Sequence, residues 1–575
     1  MSGPAAAAGP SGRDVLRAAV AGQRRRLGIG AVLGAGHQAG EVLVPVLIGV
    51  VIDRAVAGSD AGSLGVWLGV LAAVYVGLAL SFRFGAWSAE QAGVEADHAL
   101  RVSLVRRVLH PRGGAEDGRL PGELANVTTE DSRRVGAAAM ALTFGTAALL
   151  GIAVCAVVLL RTSVLLGLLV LLGTPVLMWL GHLLSKPLEA RSETEQERAA
   201  HASAVAADLV AGLRVLKGIG GESAAIDRYR ATSRDSLRAT LRAARAQAFQ
   251  RGMVLTLTGV LIAVVALVGG RLAVDGSISL GQLVSAVGLT VFLIGPLEVL
   301  AQVNAELAQG RASAARIAAV LAAPHAVPDG DRGLPQPVRG GVRLRGVRHG
   351  GLDGVDLDVA PGELLGVVAT DPAHATALLR CLARHADPEQ GAVELDGVPL
   401  SELDPGALRE AVLVAHHDAD LFEGTVRDNV TASATDPADS RAAGVGAEAA
   451  MEAAGVTRDL RALPEGDGTR VSERGRSLSG GQRQRVALAR ALAADRPVLV
   501  VHDPTTAVDA VTEARIASGI REIRKSRTTV LVTTSPTLLA VTDRVALLDG
   551  GRVVDTAHHS VLVGRHETYR TAVLA

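Results

Sequence analysis

The 575 residues are 49% hydrophobic and 20% charged, with a mean hydropathy of +0.32. That is too apolar for an ordinary soluble protein and too long for a single hydrophobic core. Lys plus Arg and Asp plus Glu both number 58, so no excess charge points to nucleic acid as a partner. The two cysteines, Cys155 and Cys381, suggest neither a disulfide framework nor a metal motif.

The opening stretch, Met1 to Pro10, is rich in Ala, Gly and Pro and lacks the basic-then-apolar order of a secretory signal. Six apolar runs follow, at Leu27–Ile52, Leu64–Phe82, Val135–Leu160, Thr162–Gly181, Met253–Gly270 and Leu280–Leu300. Each approaches or exceeds the ~20 residues needed to cross a bilayer core as a helix. His37 and Glu41 interrupt the first run, four residues apart and so on one helix face. Glu298 lies near the end of the last. Ionisable residues in a span usually face the bundle interior or a watery cavity, so these three are candidates for a substrate path.

Short links join the first and second, third and fourth, and fifth and sixth runs. The other two links are long and basic, carrying Arg101, Arg106, Arg107, Arg133 and Arg134, then Arg214, Lys217, Arg228 and Arg230. The positive-inside rule puts these links and Arg24–Arg26 in the cytoplasm, with both termini. The long links hold few Pro or Gly and read as helix, so the spans are expected to continue well beyond the membrane. The transmembrane part occupies 1–310. A Pro/Gly-containing connector covers 311–340, and 341–575 alternates strand-like and helix-like stretches. Val498–Val501 and Val530–Val532 are β-branched runs of the kind buried in parallel sheets. The expected fold is therefore six long transmembrane helices followed by a cytoplasmic α/β domain.

Leu478-Ser479-Gly480-Gly481-Gln482, followed by an Ala/Leu/Arg helix, puts Ser479 and two glycine amides at a helix N-terminus, where a phosphate is favoured. With Glu473-Arg474-Gly475 upstream and Asp503 to Asp509 downstream, this segment resembles the signature of ABC-type ATPases. Gly122-Glu123-Leu124 and Leu421-Phe422-Glu423-Gly424-Thr425 extend the resemblance to ABC exporters over nearly the whole chain. The resemblance implies ATP and Mg²⁺ held at a dimer interface. Each site there combines one subunit's phosphate loop and magnesium strand with the other's signature. It also implies that Gly212–Glu222 couples the spans to an ATPase domain.

The phosphate-loop pattern G-x-x-G-x-G-K-[ST] falls on Ala369-Thr370-Asp371-Pro372-Ala373-His374-Ala375-Thr376. Ala375 stands where Lys belongs, Pro372 has no N–H to offer, and Asp371 adds a negative charge. The magnesium strand ends in His502 and Asp503 instead of Asp and Glu. His417, in Ala415-His416-His417-Asp418, replaces the loop Gln, and Thr534 replaces the switch His. No aromatic residue for adenine stands near Val347-Arg348-His349. In contrast, Leu478–Gln482 and Asp509, which would serve a partner's ATP, are retained. The expectation is thus an integral plasma (inner) membrane subunit of a heterodimeric exporter, inactive in its own site and completing that of a second half-transporter. An importer on the same fold and a gating or regulatory subunit are the alternatives. Export direction and cargo are not encoded in these motifs. His374, His417 and His502 converge on one expected point, where local hydrogen bonding is favoured over a metal. Aromatics make up only 2% of the chain, so little aromatic surface is expected around a lipophilic cargo.

Overall fold

The structure is a computed structural model that describes residues 9–56, 61–417, 420–432, 446–460 and 465–574. Residues 1–8 and Asp418 lie outside the described residues. The chain divides into two compact units, Met1–Val105 with Leu120–Ala322, and Arg106–Arg119 with Ala323–Ala575.

The described elements of the first unit are helices joined by short connections: α1 (Gly12–Gly22), α2 (Arg24–Val51), α3 (Ala61–Val108), α4 (Pro121–Asn126), α5 (Ser132–Thr162), α6 (Val164–Ala211), α7 (Leu213–Ile219), α8 (Glu222–Val274) and α9 (Leu280–Leu321). Six of these segments are long and apolar enough to cross a membrane. They overrun it by a wide margin. The 53 residues of α8 would span about 80 Å at 1.5 Å per residue, against a hydrocarbon core of ~30 Å. The segment expected to couple, Gly212–Glu222, forms the short helix α7, bent 65° from the preceding helix and stopped by Gly220 at φ +66°.

Close backbone approaches and one carboxylate hold the far ends of α2 and α9 together. A Cβ on Gly281 would lie 2.0 Å from the Gly49 carbonyl, so only glycine permits that crossing. Asp53, in a π-helical turn at Ile52–Val56, accepts from the Gly281 N–H at 2.8 Å and from the Ser279 hydroxyl. Ser279 also caps α9 in a reciprocal box with Gln282. Between the helices, Val42, Cys155, Leu159, Leu166, Leu289 and Leu293 form a buried core. Cys155 is a packing residue. The connector expected from Arg311 begins instead as helix, because Arg311–Leu321 is Ala-rich, lacks Pro and Gly, and buries Ala314 and Ile317. The unit boundary falls after Ala322.

The second unit contains two main sheets. The strands are β1 (Val342–His349), β2 (Leu352–Val359), β3 (Leu364–Ala369), β4 (Gln390–Leu395), β5 (Val398–Pro399), β6 (Val412–Ala415), β7 (Gly424–Thr425), β8 (Arg470–Val471), β9 (Val498–His502), β10 (Thr528–Val532), β11 (Arg544–Asp549) and β12 (Arg552–Ala557). An antiparallel sheet runs β2-β1-β4-β5, and a six-stranded sheet runs β12-β11-β3-β10-β9-β6. β11, β3, β10, β9 and β6 are mutually parallel neighbours. Ligands bind such sheets at the carboxyl ends of the strands, which places the segments after β3, β6, β9 and β10 together.

The segment Arg106–Arg119 belongs to this second unit although the chain makes it far earlier. The Arg112 carbonyl accepts from the Ala326 N–H at 3.1 Å. Arg107 donates to the carbonyls of Gly113, Ala323 and Pro324, and Arg409 donates to that of Pro111 at 2.7 Å. Burial, with Arg409, His416 and Arg380 nearby, pushes the His385 imidazole below its ordinary value. Burial among Arg107 and Arg112 does the same to His325. A histidine depressed in the folded state stabilises it above the unfolded value of ~6.5 and loses that contribution as the pH falls. Acidification from about pH 7.5 to about pH 5.5 should therefore lower the melting temperature of the detergent-solubilised chain. His385→Gln combined with His325→Gln should flatten that dependence, read by melting curves across the range.

Candidate functional site

The connection from β3 into α10 (Pro372–Leu382) consists of Thr370 and Asp371 alone. Asp371 is the N-cap, its carboxylate accepting from the Ala373 N–H at 2.8 Å. The N–H groups of His374 and Ala375 both donate to the Asp371 carbonyl, and Pro372 has none. Thr370 donates its hydroxyl to Asp549 at 2.6 Å and its N–H to the Leu548 carbonyl. From Pro372 to Ala375 no amide is left to face a phosphate, and the helix end already holds a carboxylate. Ala375, at the Lys position, is 5% exposed in the core beneath the sheet. Thr376 turns its hydroxyl back to the Pro372 carbonyl. The residues of this half do not fit a magnesium nucleotide.

The surrounding positions agree. β1 and β2 are joined by a two-residue turn, Gly350 at φ +53° and Gly351 at φ +95°, with His349 paired to Leu352. A tight hairpin of this kind leaves no loop on which to carry an adenine-stacking ring. His374 lies against it, its ring 3.1 Å from where a Gly351 Cβ would be. His417 and His502 meet elsewhere, with Nδ1 atoms 3.3 Å apart and rings crossed at 84°. His502 Nε2 is 3.5 Å from Asp503. The three histidines thus separate into a pair and one ring packed on glycine. Among the described residues no group of three His, Cys, Asp or Glu is placed to hold a metal. Asp503 takes a left-handed backbone, φ +42°, and its N–H donates to the Val532 carbonyl. Thr534 is exposed at the end of β10.

The signature half is built differently. Ser479 caps the helix Gly480–Ala493 in a reciprocal box with Gln482, which points the first amides of a 14-residue helix outward. A Cβ on Gly481 would sit 2.6 Å from the Ala507 carbonyl, so glycine is needed for the loop Asp503–Asp509 to lie against the helix. Gln484 then staples the two. Its Oε1 accepts from the Ala507 N–H at 3.0 Å and its Nε2 donates to the Thr506 hydroxyl. Glu513 holds the loop from behind, accepting from the hydroxyls of Thr505 at 2.6 Å and Ser535 at 2.8 Å. Asp509 caps the helix Ala510–Ile523, and that hydrogen bonding from Thr512 keeps its carboxyl below the usual range. Gln484 and Glu513 thus position this loop, a role the motif reading gave to neither. The signal for Gln484 was its place four residues after Gly480, on the same helix face.

In the membrane unit, His37 Nδ1 lies 3.1 Å from the Leu78 carbonyl and Nε2 lies 3.8 Å from Glu41. A cavity of about 620 Å³ is lined by both, with Tyr75, Phe82 and Phe292. A second, of about 370 Å³, shares His37 and Glu41 and adds Phe144. Four of the chain's twelve aromatic residues gather around one histidine. The expectation of little aromatic surface is therefore corrected, because composition does not report placement. Glu298 is exposed and lines neither cavity.

Residues 27–297 match the family model of the ABC transporter transmembrane region, and residues 352–506 match the ABC transporter family model. The chain is 33% identical over 483 residues to a multidrug efflux ATP-binding/permease protein of Mycobacterium tuberculosis. That alignment covers 82% of this chain and 40% of the relative, so the chain spans about two fifths of that relative's length. It is 28% identical to an ATP-dependent lipid A-core flippase of Thiobacillus denitrificans, over 70% of each. In fold it is similar to a bacterial Atm1-family ABC exporter solved with ATP bound, with a TM-score of 0.72 and 24% identity over 95% of this chain and 97% of that one.

Restoring the missing lysine alone should fail. Ala375→Lys would bury an ammonium in the core under β3 and should lower the melting temperature. It should leave binding of a fluorescent ATP analogue to the isolated chain unsaturated through the micromolar range. Saturable micromolar binding by this variant would contradict the geometry.

Proposed function

We propose that this chain, an ABC exporter half-transporter whose transmembrane domain is fused to an ABC ATPase domain, is the catalytically degenerate member of a heterodimeric, ATP-driven exporter. In this reading a second half-transporter supplies a working phosphate loop, magnesium ligand and general base. This chain supplies Leu478, Ser479, Gly480, Gly481 and Gln482 to the partner-bound ATP, with Asp509 on the loop beside them. The observation that carries it is the contrast between the two halves. Beside β3 the amides of Thr370, Ala373, His374 and Ala375 are committed internally and a carboxylate caps the helix end. At Ser479 the helix end is capped, exposed and braced by Gln484 and Ala507.

ATP between the two subunits would draw the soluble units together, and the long helices would carry that motion to the spans. Hydrolysis on the partner's site resets the cycle. His417, His502, Asp503 and Thr534 take no chemical part. The basic links and Arg24–Arg26 support an orientation with both termini and the ATPase domain in the cytoplasm of a plasma (inner) membrane. The cavities beside His37 and Glu41, with their aromatic walls, suit an amphipathic, lipid-soluble cargo. Relatives named for multidrug efflux and for flipping lipid A-core are compatible with that.

The test is ATP turnover by the co-purified pair in lipid. Ser479→Arg in this chain should abolish turnover, a loss of at least about a hundredfold, since it fills the phosphate position on the donated surface. Asp503→Ala should leave turnover within about twofold. Substantial ATP hydrolysis by this chain purified alone would overturn the assignment.

A further inference from the structure

A cavity of about 730 Å³ opens where α2 begins, with Arg24, Arg25 and Arg26 on one side and Ile29, Leu33, Phe84 and Trp87 on the other. Its shape follows from a close helix crossing. A Cβ on Gly85 of α3 would lie 3.1 Å from Leu33 Cβ and 3.3 Å from the Gly34 nitrogen. α2 and α3 thus touch backbone to backbone there. The cavity fills the space beside that crossing, at the α2 end marked by the three arginines.

The charges in this space are unbalanced. Arg26 is held by Glu95 and by Gln23. Arg24 and Arg25 are exposed and have no acidic partner among the described residues. Opposite them Trp87 is 60% and Phe84 47% exposed, a large aromatic face left uncovered by the described residues. The depth is also marked. Arg24–Arg26 are the last charges before the apolar run that starts at Leu27, and Trp87 stands just beyond the run ending at Phe82. Both edges therefore sit at the membrane–water boundary, where aromatic rings and arginines are favoured.

We infer that this cavity is a binding site for an anionic phospholipid of the adjoining leaflet. Its phosphate would lie between the Arg24 and Arg25 guanidiniums, and its acyl chain along Phe84, Trp87 and Leu33. Planar guanidinium forks match a phosphodiester, and two unpaired arginines at a membrane surface favour anionic over zwitterionic lipid. The apolar wall selects a lipid over a soluble anion, which would leave the aromatic face wet. The site is separate from the cavities around His37 and Glu41.

Trp87 is its own reporter. The full-length chain carrying Trp67→Phe and Trp179→Phe is reconstituted in phosphatidylcholine vesicles containing either brominated phosphatidylglycerol or brominated phosphatidylcholine, at matched ionic strength. Bromine quenches a ring it touches. Half-quenching of Trp87 is expected at about a tenfold lower mole fraction of the anionic lipid. Arg24→Gln with Arg25→Gln should remove that preference, and Arg24→Lys with Arg25→Lys should keep most of it, both eluting as the parent does on size exclusion. Equal quenching by the two lipids in the parent chain overturns the site. So does recovery of Trp87 fluorescence when inorganic phosphate is added, which would identify a soluble-anion site instead.

Discussion

Two residues separate β3 from α10, and the character of the ATPase unit depends on that shortness. A loop that wraps phosphates must hold several amides away from secondary structure and aim them at one point. Here the helix starts early, at a proline that fits its first turn without needing a hydrogen bond. Asp371 satisfies the amide that would otherwise be exposed. The arrangement is locally well made. It relieves the helix N-terminus of its need for an anion by building one in. The internal carboxylate thus gives the helix end the stability that a bound phosphate would otherwise supply. Ala375, released from the surface role of a lysine, packs into the core.

The opposite edge of the unit is under another constraint. The helix Gly480–Ala493 and the loop Asp503–Asp509 are locked by a glycine contact and a bidentate glutamine, with Glu513 bracing Thr505 and Ser535 behind. That bracing connects the loop beside the helix Gly480–Ala493 with the segment after β10. The network runs through Ser535 and not through Thr534.

Much of this was legible in the sequence. Apolar run length gives the six spans, since a bilayer imposes a minimum that no soluble helix must meet. The early start of α10 was legible at Asp371-Pro372, an N-cap followed by a proline suited to the first turn. What was not legible depends on which atoms meet. Nothing in the spacing shows that His374 packs on Gly351 while His417 and His502 pair. The gathering of Tyr75, Phe82, Phe144 and Phe292 around His37 is a tertiary fact that a 2% aromatic content conceals. The end of α9 at Leu321 was missed because a Pro/Gly count over thirty residues blurred an Ala-rich start.

The stretch Arg106–Arg119 has a consequence for how the protein is made. It lies in the ATPase unit, bonded to Ala323, Pro324, Ala326 and Arg409, yet it leaves the ribosome 216 residues before the first of those partners and 298 before the last. Contacts so distant in sequence form late and slowly. The ATPase unit therefore cannot finish folding as an independent, last-made piece. It must close around a strap that has been waiting since the second span was inserted, so assembly in the membrane comes first and completion of the soluble unit follows. A soluble domain cut from the chain at Ala323 would leave Arg409 and the carbonyls of Ala323 and Pro324 without these partners.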